Sequence, residues 1–253
     1  MAPAESLPHA VRRRAREEIT REIVEVARRH LVTEGAPGLS LRAVARELGM
    51  VSSAVYRYVA GRDELLTLLI VDAYDALGAA AEEGEARVPR GDLAGRWLAL
   101  CHGVRDWALA HPHEYALIYG SPVPGYEAPE ATVGPATRVT RLLTQVLADA
   151  VAAGAVPLPG LTEAPGGEGK PWRVAMRPTR PFVPPHVPDD LLIRGLMAWT
   201  YLFGAISFEL FGHRHHVIDD DLALRRAFFT EEALRIGTLA GVVSAGGQDD
   251  ANR

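Results

Sequence analysis

Apolar residues return every three or four positions along most of the chain, and strand-like alternation is scarce. That pattern predicts an all-α protein. The first stripe, Ile19, Ile23, Ala27 and Leu31 with Val26 and His30 beside it, predicts a helix over about 14–33. Gly35, Pro37 and Gly38 end it. Leu41, Val44, Ala45 and Leu48 form the inner stripe of a second helix, which Gly49 ends. Ser40 stands where an N-cap would supply a side-chain oxygen to it. A short third helix follows over about 52–59, with Val55 and Val59 inward. Gly61 interrupts the pattern, and "RDELL" opens a fourth helix reaching about residue 86. Its first-turn acids sit where the helix dipole favours them.

Further helices are expected over 92–111, from Pro112 to near Gly120, and over 131–153, 189–212 and 220–242. Prolines and glycines crowd the stretch 154–188, which reads as a long loop, and "SAGGQDDANR" reads as a disordered tail. The expected organisation is a three-helix head over 14–61 and a larger helical body over 62–243.

Two short helices that cross at a tight glycine turn form the unit whose second helix enters the major groove of DNA. The outward positions of the third helix, Ser52, Ser53, Tyr56, Arg57 and Tyr58, are hydrogen-bonding or aromatic. Arg42, near the start of the second helix, is placed to reach a phosphate or a guanine edge. Plain helical bundles also contain glycine turns, so the turn alone leaves both readings open.

Charge separates the two parts. The net charge of -5 argues against a nucleic-acid partner for the whole chain. Residues 1–62, however, carry eleven arginines against seven acids, a net of +4, which leaves -9 on the remainder. A basic head and an acidic body result, and only the head needs to meet phosphates. Lys170 is the only lysine, so arginine abundance reflects a compositional bias as well as function. The run Arg12 to Arg16 reads either as an arm toward DNA or as a solvated terminus.

The stretch "GMVSSAVYRYVAGRDELL" carries a more specific signal in Gly49, Tyr56, Tyr58, Val59, Arg62, Asp63, Glu64 and Leu65. With them, residues 14–66 resemble the N-terminal domain of the tetracycline-repressor (TetR) family of bacterial transcription regulators. The resemblance implies that Tyr56, Tyr58 and the basic residue at 62 grip the DNA backbone. Two positions depart from the family pattern. Val51 replaces a frequent serine, so the cap of the third helix comes from Ser52 or is absent. Ala54 replaces a frequent threonine and offers a thymine methyl group a contact without a hydrogen bond.

In the body, "HPHEYALIYGSPVPGY" and "WTYLFGAISFELFGH" are similar to a C-terminal type of the same family common in actinobacteria. The resemblance implies a small-molecule site and a homodimer made through the last two helices. Helix 189–212 is apolar nearly all round and must be covered on more than one face. A twofold mate meeting Ala198, Ala205 and Phe208 would cover it, and so would the core of a single chain. For the pocket, the aromatic and apolar candidates are Trp97, Cys101, Trp107, Tyr115, Tyr119, Trp199 and Phe203. His102 and Arg105 are three apart on one helix and share a face, so they serve as polar anchors. An effector largely apolar with one polar or anionic end fits that set. The competing expectation is that Arg105 meets an internal carboxylate such as Glu209.

No catalytic residue, metal site or cofactor is expected. One cysteine allows no intrachain disulfide and no cysteine-based zinc site. Cys101 and His102 point about 100° apart round a helix, so the histidine cannot serve the thiol as a base. The cluster His213 to His216 before Asp219 to Asp221 follows a helix end where basic residues are favoured anyway, and adjacent residues rarely converge on one ion. The polar, charged start shows no signal peptide. The longest apolar run, 195–208, falls short of a bilayer span, so a cytoplasmic protein off the membrane is expected. The function expected is a ligand-responsive regulator, most often a repressor, released from double-stranded operator DNA by a small molecule. The alternative is a helical small-molecule or partner-binding module with a degenerate head; Val51 and Ala54 favour it, and Tyr56 and Arg62 oppose it.

Overall fold

The computed structural model describes residues 7–154 and 171–243, and no strand occurs among them. The expected tail and residues 155–170 of the expected loop lie outside the described residues. Helix α1 spans Leu7–Gly38, with its backbone broken at Gly35 (φ 67°). It starts a turn or more before the apolar stripe, because a helix end that is solvated all round needs no apolar face. The arginines at 12–16 are therefore helical and not an extended arm.

Helix α2 covers Leu41–Glu47. Ser40 takes the extended N-cap conformation, but its side chain makes no capping bond. Gly49 adopts φ +66°, the left-handed conformation that lets the chain reverse sharply and that favours glycine. Helix α3 is shorter than the sequence predicts: Ser52–Val55 only, with Val51 at the N-cap and no side-chain cap. Tighter bonds carry the rotation onward, Arg57 N–H to the Ala54 carbonyl at 3.2 Å and Tyr58 N–H to Val55 at 2.9 Å.

Helices α4 (Arg62–Ala86), α5 (Leu93–Ala110) and α6 (Pro112–Tyr119) follow the predicted spans. The helix expected over 131–153 is divided into a 3₁₀ turn Glu130–Thr132, the short α7 (Val133–Ala136) and, after Thr137, α8 (Arg138–Ala152). The described part of the expected loop holds α9 (Pro171–Ala175) and a 3₁₀ turn Arg180–Phe182. Arg180 ties that proline-rich stretch together, donating to the Val187 and Pro185 carbonyls at 2.7 and 2.9 Å. Helices α10 (Asp189–Leu210) and α11 (Leu222–Ala240) complete the chain, the latter capped by Asp221, which accepts from Ala223 and Leu224 N–H.

The chain forms two compact units, one of residues up to Asp75 with 111–136 and one of 76–110 with residues from 137 onward. In the first, Ile23, Ala27, Val44, Val55, Val59 and Leu65 are wholly or almost wholly buried in one core. All but Leu65 are positions of the predicted stripes. Burial of such side chains contributes about 1.5–3 kcal/mol each. Arg29 and His30 of α1 both reach Glu47 at 2.7 Å, which fixes α2 against α1.

In the second unit α10 packs on α11, α8 and α5, and α5 packs on α8 and α11. Helices α4 and α5 cross so closely that a Cβ on Gly103 would stand 2.6 Å from the Ala80 carbonyl oxygen, and one on Gly84 2.8 Å from that of Ala99. Helix α10 has 22 residues and is long and apolar enough by composition to cross a membrane, more than the uninterrupted run 195–208 suggests. Its most apolar window is 44% buried inside the protein. Arg96 is buried at the junction of three elements, bonded to Glu85 at 2.5 Å, Asp149 at 2.8 Å and the Arg90 carbonyl at 3.1 Å. Arg138 of α8 clasps Glu82 of α4 through both carboxylate oxygens, at 2.5 and 3.0 Å.

Candidate DNA-binding head and effector cavity

The turn at Gly49 and the inward anchors Val55 and Val59 leave one face of the α3 region outward. Ser52, Ser53, Tyr56 and Arg57 are exposed there, while Ala54 and Tyr58 are half-buried. Arg42 is exposed on α2. Tyr58 packs on the head core and carries the Arg16 guanidinium 5.6 Å above its ring. Arg12, Arg16, Arg57 and Tyr58 thus border one shallow groove, which extends the basic surface beyond α3. Arg62 is differently placed: it donates to the Ala36 carbonyl at 2.9 Å and holds the start of α4 to the end of α1. Glu64 accepts from the Ala60 N–H and closes the same corner.

The predicted pocket residues divide between the two units. Tyr115 and Tyr119 lie in the first, ring centroids 5.2 Å apart, with Tyr74 edge-on to Tyr119 at 6.0 Å. Burial raises the Tyr119 phenol above its ordinary range, so it stays protonated. The others lie in the second unit. Cys101 is buried, and desolvation pushes its thiol well above the usual cysteine range, the opposite of an activated nucleophile. Arg105 is buried and clasps Glu209 through Nε at 2.8 Å and a terminal nitrogen at 2.5 Å, with Phe229 against its other side at 5.3 Å. His102 lies at 3.0 Å from the Thr230 hydroxyl and stacks edge-on to Phe229. Burial, then the Arg226 charge, lowers its pKa and favours the neutral ring. Trp107 and Phe203 are buried.

Trp97 and Trp199 do line a cavity, enclosed by α5, α8, α10 and the end of α11, with Thr179 from the loop before α10. The Trp97 indole donates to the Ala233 carbonyl at 2.6 Å. Thr140, Leu143, Thr144 and Leu147 of α8 form one wall. The sequence reading missed that wall, although Thr140 and Thr144 interrupt an otherwise apolar stripe at a spacing of one turn. Of the three expected dimer residues, Ala198 and Ala205 are turned into the chain's own core. Phe208 is exposed, and Met197 and Tyr201 of α10 and Phe211 at its C-cap continue the row. The Tyr201 hydroxyl bonds Glu232 at 2.6 Å, and burial followed by that bond pushes its pKa up to about 12. Among the described residues, no three histidine, cysteine or acidic side chains converge as a metal site would require.

The geometry defines a helix-turn-helix head joined to a helical body with a cavity. Comparison with known proteins is consistent with both parts. Residues 23–69 match the family of bacterial regulatory proteins of the tetR type, and residues 97–230 match the tetracyclin repressor-like C-terminal domain. The chain is 44% identical over 202 residues to the HTH-type transcriptional regulator Rv1816 of Mycobacterium tuberculosis, covering 79% of this chain and 84% of that one. The head alone is 48% identical over 48 residues, 19% of this chain and 18% of that one, to the HTH-type transcriptional repressor DrrR1 of Streptomyces coeruleorubidus. Among solved structures, that of SCO4313, a candidate regulatory protein, superposes with a TM-score of 0.68 at 32% identity, over 88% of this chain and 98% of that one. The protein belongs to the TetR family of transcriptional regulators. This is a family of DNA-binding regulators that dimerise, and not of enzymes.

Proposed function

We propose that the chain is a homodimeric repressor released from its operator by a small molecule held in the second unit. The observation that carries this is the pairing of an exposed polar helix end in the first unit with an apolar cavity in the second. Tyr56 and Arg57 supply the outward contacts to backbone and bases, and Arg16 adds charge beside them. Two such heads read half-sites about one helical turn apart, roughly 34–36 Å, on a near-palindromic operator. The row Met197, Tyr201, Phe208 and Phe211, with Phe228 exposed on α11, is apolar surface for the twofold mate. The repressor named DrrR1, similar in the head, supports the sign of regulation.

Response to the effector is linkage: a ligand that prefers one of two body conformations shifts the population toward it. Helix α4 is continuous through both units, and its C-terminal half is gripped by the Arg138–Glu82 and Arg96–Glu85 pairs and the glycine crossing with α5. A change in α8 therefore acts directly on the C-terminal half of α4, within the second unit. The test is to sequence genomic fragments retained by the purified chain and then screen compounds for their release. Recovery of a shared near-palindrome, released by a compound that the body binds, is expected. Fragments with no common sequence would overturn the reading.

A further inference from the structure

We infer that the cavity beside Trp97 and Trp199 takes an uncharged, largely apolar molecule whose oxygen atoms meet the threonines of α8. This rests on the ligand-responsive reading above and adds the chemistry of the ligand. The effector expected from sequence has a polar or anionic end oriented by Arg105, and that guanidinium meets Glu209, the competing expectation, through two hydrogen bonds. Arg96 is likewise engaged by Glu85 and Asp149, and neither arginine lines the cavity. None of the described lining residues carries an ionisable side chain. A carboxylate or ammonium entering here would lose its hydration with no counter-charge to replace it, which excludes it relative to a neutral analogue of the same shape.

What the walls do offer is hydroxyl groups. Thr144 donates to the Thr140 carbonyl at 2.8 Å, which leaves its oxygen as an acceptor toward the interior. Thr140 lies one turn away on the same face, and Thr179 stands on the wall formed by the loop. The Trp97 indole N–H is already used by the Ala233 carbonyl, so the tryptophan contributes area and not a donor. A hydroxyl on the ligand, donating to the Thr144 oxygen, would lie along α8, with its carbon skeleton against Trp199, Leu192 and Leu196.

The walls stand close, leaving about 30 Å³ for water-sized occupants. That is room for about one or two waters. A ligand must part α8 from α10 to enter, so binding and displacement of α8 are one event. An apolar molecule with no charge to desolvate is the class that gains most from such a dry opening.

The probes are decan-1-ol, decanoate and decylammonium, each below its micellar concentration, titrated into the full-length protein. Binding is read from tryptophan fluorescence and from the rise in unfolding temperature. The alcohol is expected to bind at least tenfold more tightly than either ion. Thr140→Val with Thr144→Val, which keeps the shape and removes the hydroxyls, is expected to weaken the alcohol about three- to tenfold. Gly195→Leu fills the cavity, since a Cβ there would already stand 3.1 Å from Leu147, and is expected to abolish binding. If that variant fails to fold, Leu143→Phe does the same from the opposite wall. Equal or tighter binding of an ion would overturn the ligand class while leaving a ligand-responsive regulator standing. No binding of the alcohol, or binding unchanged by both cavity-filling variants, would overturn the site. Failure of the unliganded protein to retain DNA is a separate outcome, which overturns the regulatory reading and leaves the chemistry of the cavity intact.

Discussion

The head and the body use arginine in opposite ways. On the head, Arg42 and Arg57 are exposed, and their removal takes nothing from the core. In the body, Arg96 and Arg105 are almost fully buried and each is closed on carboxylates. Arg42 and Arg57 are surface chemistry, and Arg96 and Arg105 are internal scaffolding. Burial decides which, because a buried guanidinium must be paired within the chain before it can be stable, and is then no longer available to a ligand.

That contrast is breakable by substitution. The largest effect is expected from Glu209→Leu, which leaves buried Arg105 with only the half-exposed Asp106, at 3.5 Å. A loss of about 3–5 kcal/mol in chemical unfolding is expected. A loss within about 0.5 kcal/mol, the range of ordinary surface changes, would mean that Arg105 finds water and is not part of the scaffold. Next comes Gly103→Ala. Its methyl group meets the Ala80 carbonyl where α4 and α5 cross, and about 1–3 kcal/mol is expected to be lost as the helices separate. On the head, Tyr56→Ala and Arg57→Ala are each expected to leave stability within about 0.5 kcal/mol.

The smallest effect concerns pH. His102 has its folded pKa depressed by burial and by Arg226, so the unfolded chain takes up a proton that the native ring resists. Stability should therefore fall as pH drops through the ordinary histidine range, about 6.5. His102→Gln should flatten that slope in thermal unfolding between pH 7.5 and 5.5. An unchanged slope would assign the titration to another histidine.

The head was readable because its amphipathic stripes leave one solution. Ile23, Ala27, Val44 and Val55 lie on the apolar faces of their helices, and all are buried together. The outward face of α3 then follows by subtraction. Helix α10 gives no such purchase. It is apolar on nearly every face, so its composition does not say which residues face the chain and which face outward; Ala198 is inside and Met197, its neighbour, is outside. Arg105 posed a related difficulty, since its partner Glu209 is more than a hundred residues away and either expectation fitted the local pattern. Glycine is a weak helix former, and the use of Gly84 and Gly103 appears only once the opposing backbone is present.

The separation of DNA contact from fold is tested most directly by fluorescence anisotropy. The full-length protein is titrated against the DNA fragment it retains, over a range of salt, beside the Tyr56→Ala, Arg57→Ala double variant. A loss of affinity of tenfold or more is expected at unchanged unfolding temperature, with the salt slope reduced by about one for the lost arginine contact. Affinity and slope equal to those of the unsubstituted protein would contradict the assignment of α3 and its outward face as the DNA-reading surface.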